Sequence, residues 1–143
     1  MTIVFEMSTD ADILAIPLAP GWPAATARYN WAQVQAGGQG LDHTAVIVVI
    51  AHGNATHIGN ADDTLDIDPS WFLVLIQETM QAGQYPAAVY ISTCGTGLAE
   101  FAAGVRLLAE QNAVWNGTRI YGHDSPIAGA VPLPGSLSWV QIF

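Results

Sequence analysis

Basic residues are almost absent from this chain. Its 143 residues include three arginines and no lysine against 12 acidic residues, so the formal net charge is −9 at pH 7. Nucleic acids and anionic membrane surfaces are bound mainly through Lys and Arg, and an acidic surface repels them. We therefore expect no nucleic-acid partner and no membrane partner, whereas a cationic substrate or a metal ion suits the charge better.

Cysteine is equally scarce, and long apolar runs are missing. Cys94 is the single cysteine, so no intramolecular disulfide can form and the fold does not depend on an oxidising compartment. No apolar run reaches the roughly 18 residues of a membrane-spanning helix. The N-terminus has no basic region before its apolar stretch, so we expect no signal peptide. A cytoplasmic location is the default expectation, with signal-independent export and cleavage from a larger precursor left open.

The remaining composition is that of a globular protein. Hydrophobic residues make up 51% and charged residues 10%, and the length predicts one domain over residues 1–143. Short runs rich in Val and Ile predict buried strands, and apolar residues at helical spacing predict helices. The predicted strands cover residues 2–7, 44–52, 87–93, 119–121 and 138–143, the predicted helices cover 24–36, 68–82 and 97–111, and the predicted loops include 11–23 and 54–68.

This alternation of strands and helices predicts an α/β fold. Strands separated by helices form mostly parallel sheets with both faces covered, which is a three-layer α/β/α sandwich. The last strand follows a Pro/Gly-rich stretch and could pair antiparallel at one edge.

Two of the predicted strands end on residues that carry chemistry. One ends at His52-Gly53, and the other leads into Cys94. Parallel neighbours end at the same edge of a sheet, where open α/β folds place their binding crevice. A thiol beside an imidazole supplies the nucleophile and the base that nucleophilic acyl transfer needs.

This arrangement resembles the caspase-like cysteine peptidases of clan CD, in which a hydrophobic strand ending in His-Gly is followed by a helix and by a hydrophobic strand ending in a small residue and cysteine. Cys94 follows His52 by 42 residues, against roughly 50 in the caspase form. Residues 92–97, Ser-Thr-Cys-Gly-Thr-Gly, are most similar to the Ser-Ala-Cys-x-Thr-Gly pattern of the CHAT-type members, with Thr93 in place of alanine. The resemblance covers about residues 44–121 and implies a caspase-like fold.

The resemblance also implies an activity and its residues. The protein would be a cysteine endopeptidase without a cofactor, acting on a peptide or protein substrate. Cys94 would be the nucleophile and His52 the general acid and base. The backbone N–H groups of Gly53 and Cys94 would form the oxyanion hole, and a glycine at position 53 would let the substrate backbone approach closely.

Family members recognise the residue before the scissile bond with groups after the first strand and two positions before the cysteine. In this chain those positions hold Asp10 or Asp12 and Ser92. None of the three arginines is placed to recognise an acidic substrate residue. We therefore expect a basic or neutral residue at that substrate position.

Other functions remain open for the same residues. A catalytically silent caspase-like domain would serve as a binding or effector module. A small flavodoxin-like domain would instead bind an anion at the turn of residues 93–97. His123 and Asp124 follow a strand expected to end at the same edge, so they either line the site or belong to a turn.

A group of aspartates in the predicted loop 54–68 is the remaining candidate ligand set. Carboxylates from flexible loops bind Ca²⁺, but the spacing here does not match an EF-hand. A solvated acidic loop therefore fits these residues better than a calcium site. They are Asp62, Asp63, Asp66 and Asp68.

Overall fold

A mostly parallel sheet organises the chain in the computed structural model, which describes residues 2–23, 25–93, 98–123 and 130–142. The strands are β1 (Thr2–Glu6), β2 (Ala25–Tyr29), β3 (Val46–Gly53), β4 (Ile58–Gly59), β5 (Asp66–Ile67), β6 (Ala88–Thr93), β7 (Arg119–Gly122) and β8 (Val140–Gln141). The helices are α1 (Ala11–Leu14), α2 (Trp31–Ala36), α3 (Pro69–Thr79) and α4 (Leu98–Gln111).

The main strands lie side by side in the order β2-β1-β3-β6-β7-β8. β8 is antiparallel to β7, and the other neighbours in this order are parallel. β4 and β5 form a small antiparallel extension beside the end of β3. β3 and β6 are the central pair and are almost continuously buried, as expected for strands covered on both faces. The predicted α/β class and mostly parallel sheet are confirmed.

The two faces of the sheet are covered by different kinds of structure. Side chains of α2, α3 and α4 pack on one face, which we call the helical face. The other face, which we call the loop face, is covered by the four-residue helix α1 and by parts of segments 16–22 and 131–139. Parallel crossovers are right-handed, and only the β1-α1-β2 connection moves across the sheet in the opposite direction, so it lies on the opposite face. In the described part of the chain, the predicted sandwich therefore has one helical layer and one layer consisting mostly of turns and irregular segments.

The predicted helix over residues 24–36 is wrong in its first half. Residues 25–29 form β2, which pairs with β1 at the edge of the sheet. Arg28 on β2 forms an ion pair with Glu6 on β1, and Tyr29 packs against Phe5. Pairing with β1 thus overrides the helical propensity of the alanines. The Asn30 and Gln33 side chains form a capping box that starts α2 only at residue 31.

Pairing within the fold also shortens the helix predicted over residues 68–82. α3 ends at Thr79, and Met80 adopts an extended conformation that forms a β-bridge with Leu41. Gly83, which we expected to end the helix, lies in the turn that follows. Elsewhere, the predicted loops 11–23 and 54–68 contain α1 and the β4–β5 hairpin, respectively.

Candidate functional site

His52 lies at the end of β3 and belongs to the loop face. Strand side chains alternate between faces, and Val48 and Ile50 of the same strand pack on the loop face. The His52 side chain is 21% exposed, and its Nε2 lies 3.4 Å from Oδ2 of Asp10 and 3.0 Å from Oδ2 of Asp12. Because carboxylates only accept hydrogen bonds, Nε2 carries the proton, and Nδ1 is the acceptor in the neutral ring.

Both carboxylates reach His52 from the short helix that follows β1. Asp10 occupies the N-cap position of α1, and Asp12 lies in its first turn. The Asp10 side chain is 27% exposed, and its Oδ2 also accepts a 2.9 Å hydrogen bond from the N–H of Ala61. We predicted a substrate-binding role for these two residues; the structure brings them against the imidazole of His52.

Asn60, which the sequence analysis did not single out, connects the loop after β1 to the loop after β4. Its Oδ1 accepts hydrogen bonds from Ser8 Oγ (2.7 Å) and from the N–H of Thr9 (2.8 Å). Its Nδ2 donates to Oγ1 of Thr9 and of Thr64. Ser8 Oγ in turn accepts from the N–H of Asp10. This buried network fixes the start of the α1 segment, but Asn60 is one polar residue among many in its stretch of sequence.

Gly53 is required by close packing within the protein. A Cβ at this position would lie 2.7 Å from Ile58 Cγ2 and 3.2 Å from Thr93 Cγ2. We expected glycine here to admit a substrate backbone. The space on its Cβ side is instead filled by β4 and by the end of β6.

The hydrogen-bond ladder shows which way the N–H of Gly53 points. Ile50 accepts from the N–H of Met7, and the N–H of Asn54 donates to His57. Even-numbered residues of this strand therefore direct their polar backbone groups toward β1 and β4. Because these directions alternate along a strand, the N–H of Gly53 points toward the β6 side.

The pairing of β3 with β6 ends at Ala51 and Thr93, each one residue before a predicted catalytic residue. Ser92 is paired with Ile50 and is 6% exposed. It lies on the loop face, since it follows Tyr90 by two positions in the same strand. Cys94 and the rest of the predicted turn, residues 95–97, lie outside the described residues.

His123 is buried next to the end of β6. It is 1% exposed, and its Nε2 accepts a 3.1 Å hydrogen bond from the N–H of Thr93. Its ring lies 5.8 Å from the ring of Trp139 on the loop face. The sequence leaves two roles open for His123, lining the site or belonging to a turn. In the structure it contacts the end of β6 and is closed to solvent. Asp124 lies outside the described residues.

The four aspartates of the predicted acidic loop have separate local roles. Asp68 caps α3 by accepting from the N–H of Trp71. Hydrogen bonds from the hydroxyl and N–H of Thr64 lower the pKa of the Asp62 carboxyl. Asp66 lies 3.8 Å from His57, and Asp63 adopts a left-handed conformation, with φ 62°. The solvated acidic loop, favoured over a calcium site, stays a prediction.

A polar cavity of about 190 Å³ opens beside His52, between β3 and the β4–β5 hairpin. Its wall includes His57, Asn60, Asp63 and Asp66. Among the described residues, the one group of three or more potential metal ligands is Asp10, Asp12 and His52, whose ligand atoms lie within 4.8 Å of one another. Carboxylates thus dominate this edge of the sheet.

No family model, curated protein or solved structure matches this chain. Within the described ranges, no helix is both long and apolar enough to cross a membrane.

Proposed function

We propose that the protein is a cysteine peptidase of the caspase-like type, with Cys94 as the nucleophile and His52 as the general acid and base. The observation that carries this proposal is the parallel pairing of β3 with β6, in register from Val46 and Ala88 to Ala51 and Thr93. The strand that ends in His52-Gly53 therefore lies beside the strand that leads into the single cysteine. Neighbouring parallel strands deliver their next residues to one edge.

The proposed reaction follows from these parts. The Cys94 thiolate attacks the peptide carbonyl carbon, and the carbonyl oxygen takes the negative charge. Its developing charge is stabilised by the N–H of Gly53, which points toward β6, and by the N–H of Cys94; such a donor typically contributes about 10²–10³ in rate. The positive end of the helix α4, which begins four residues after Cys94, favours the thiolate.

His52 transfers the proton in both halves of the reaction. The imidazolium protonates the amine as the carbon–nitrogen bond breaks, which leaves a thioester on Cys94. Water then attacks the thioester, the neutral imidazole takes its proton, and the thiolate leaves as the carboxylic acid product forms. Asp10 and Asp12 hold the Nε2 side of the ring, so that Nδ1 exchanges the proton.

The charges around the site favour a substrate with a basic side chain. Asp63 and Asp66 line the cavity beside His52. The arginines are located elsewhere: Arg28 pairs with Glu6, Arg106 pairs with Glu110, and Arg119 begins β7 at the opposite edge of the sheet. An acidic substrate residue would therefore meet Asp63 and Asp66 with no arginine described beside them.

A thiol-reactive peptide ketone tests this proposal. Because Cys94 is the single cysteine, labelling has one possible site. We expect rapid labelling by a probe with arginine next to the ketone, slower labelling with aspartate there, and none in Cys94→Ala. His52→Ala should slow labelling by about 10²-fold or more, the usual contribution of acid–base catalysis. His43→Ala is the matched control, because His43 is an exposed histidine bonded to Gln84 away from the site.

Two results would contradict the peptidase. One is labelling at the same rate in wild type and His52→Ala. The other is equal reaction of the folded and unfolded protein with a plain alkylating agent, which indicates an ordinary thiol. A folded protein that gives either result would point to the silent binding or effector domain.

A further inference from the structure

The end of β7 contacts the chain on both sides of the segment that carries Cys94. Before that segment, His123 Nε2 accepts from the N–H of Thr93 at 3.1 Å. After it, Gly122 packs so closely on the start of α4 that a Cβ would lie 2.7 Å from the carbonyl oxygen of Leu98. Two consecutive residues therefore fix the points where the chain leaves β6 and enters α4.

We propose that His123 is a positioning residue that sets the reactivity of the Cys94 thiol by holding the end of β6. Only the catalytic role of the Cys94 thiol rests on the proposed function. The contact between His123 and Thr93 joins two described residues. His123 does not act on the substrate, because it is 1% exposed and packs against Trp139.

The chemistry of the contact requires one form of the ring. Nε2 accepts a hydrogen bond, so it carries no proton, and in the neutral imidazole the proton lies on Nδ1. Thr93 is 2% exposed, so water cannot readily replace the acceptor if the ring is removed. The N–H of Thr93 would then turn toward another partner, and the residue that follows it would turn as well.

Glutamine and methionine separate the hydrogen bond from the packing. The Oε1 atom of glutamine can occupy the place of Nε2 and accept from Thr93, whereas methionine has a similar length and lacks a strong acceptor. We expect His123→Met to shift the pH profile of Cys94 alkylation by iodoacetamide, with a rate change of about threefold or more below the profile's midpoint. His123→Gln should restore the wild-type profile, and His43→Gln should not alter it.

A purely structural role would lower the melting temperature of His123→Met and leave the alkylation profile of the folded protein unchanged. That result overturns the proposal, as does failure of His123→Gln to restore the profile. If His123→Met does not fold, NMR of the imidazole nitrogens in the wild-type protein decides, because a proton on Nε2 of His123 is incompatible with the contact.

The outcome is separable from that of the peptidase. If the peptide probe fails to label the wild-type protein, or labels it regardless of His52, the peptidase fails. The comparison of methionine with glutamine at position 123 still measures control of the thiol by His123.

Discussion

The helical face and the loop face of the sheet have different roles. The helical face holds the larger apolar core, and the loop face carries residues of the candidate site. On the helical face, buried side chains of three helices form one apolar cluster, in which Phe72 meets the rings of Phe101 and Trp115. On the loop face, a smaller apolar cluster is joined by hydrogen bonds between its segments, such as that from Trp22 Nε1 to Pro132 O, and by the bridge between Leu18 and Val131. His52, Ser92 and His123, at or next to the ends of β3, β6 and β7, project to the loop face.

The difference has a physical cause. A helix covers a sheet with a continuous apolar stripe and leaves little room for polar groups among its contacts. Turns and irregular segments leave backbone groups and gaps, which polar side chains such as Asn60 and Asp10 fill with directed hydrogen bonds. The site therefore lies where hydrogen bonds supplement a smaller apolar cluster, and stability should depend mainly on the larger cluster of the other face.

The largest effect that tests this division is expected from Phe72→Ala. Phe72 is 0% exposed in the helical-face core, and truncation of a buried phenylalanine costs about 3–5 kcal/mol in the free energy of unfolding. Urea denaturation followed by circular dichroism measures the loss. Val74→Ala on the same helix is the control, because Val74 is 50% exposed. Equal losses for the two variants would contradict a stability centred on the helical face.

A smaller effect, confined to the site, is expected from Asn60→Ala. The substitution removes the acceptor for Ser8 Oγ and the N–H of Thr9, and unpaired buried donors cost about 1–3 kcal/mol. Amide exchange should accelerate at Thr9 and Asp10 before it does in β3. Asn112→Ala is the control, because Asn112 is exposed and bonds only within its own helix end. Uniformly faster exchange across the sheet would show that this network stabilises the whole fold.

The sequence predicts the elements of the helical face better than the cover of the loop face, because a helix follows a local apolar period and the loop-face contacts do not. Apolar periodicity predicts α4 and the central strands within one residue or two, because the period is set by local geometry. It fails at β2, where an alanine-rich segment becomes a strand only through pairing with β1. The contacts of Asp10 and Asp12 with His52 depend on distant segments meeting at one edge, and no local pattern encodes them.

The pairing of β3 with β6 is the part of the candidate site that the sequence motifs predict. The two strand ends and their order follow from the sequence, and their adjacency is confirmed. The partner of Thr93 could not be predicted, since His123 lies on a third strand and its burial depends on Trp139.

The smallest predicted effect concerns Tyr90, which lies in β6 under the loop-face cover. Tyr121 stacks on its ring at 4.3 Å, and Trp139 packs edge-on at 5.0 Å. Burial, with a smaller contribution from the neighbouring Tyr121, raises the pKa of Tyr90 from 10.0 to about 12. The folded protein therefore keeps Tyr90 protonated at a pH where the unfolded chain ionises it, so this contribution to stability is complete below pH 10 and is lost as the pH rises toward 12.

Tyr90→Phe should change the unfolding free energy by less than about 1 kcal/mol at neutral pH and make stability fall less steeply above pH 10. Urea titrations at neutral and alkaline pH measure both quantities. An equally steep alkaline loss in Tyr90→Phe would mean that the loop-face cover already opens in base before this hydroxyl ionises.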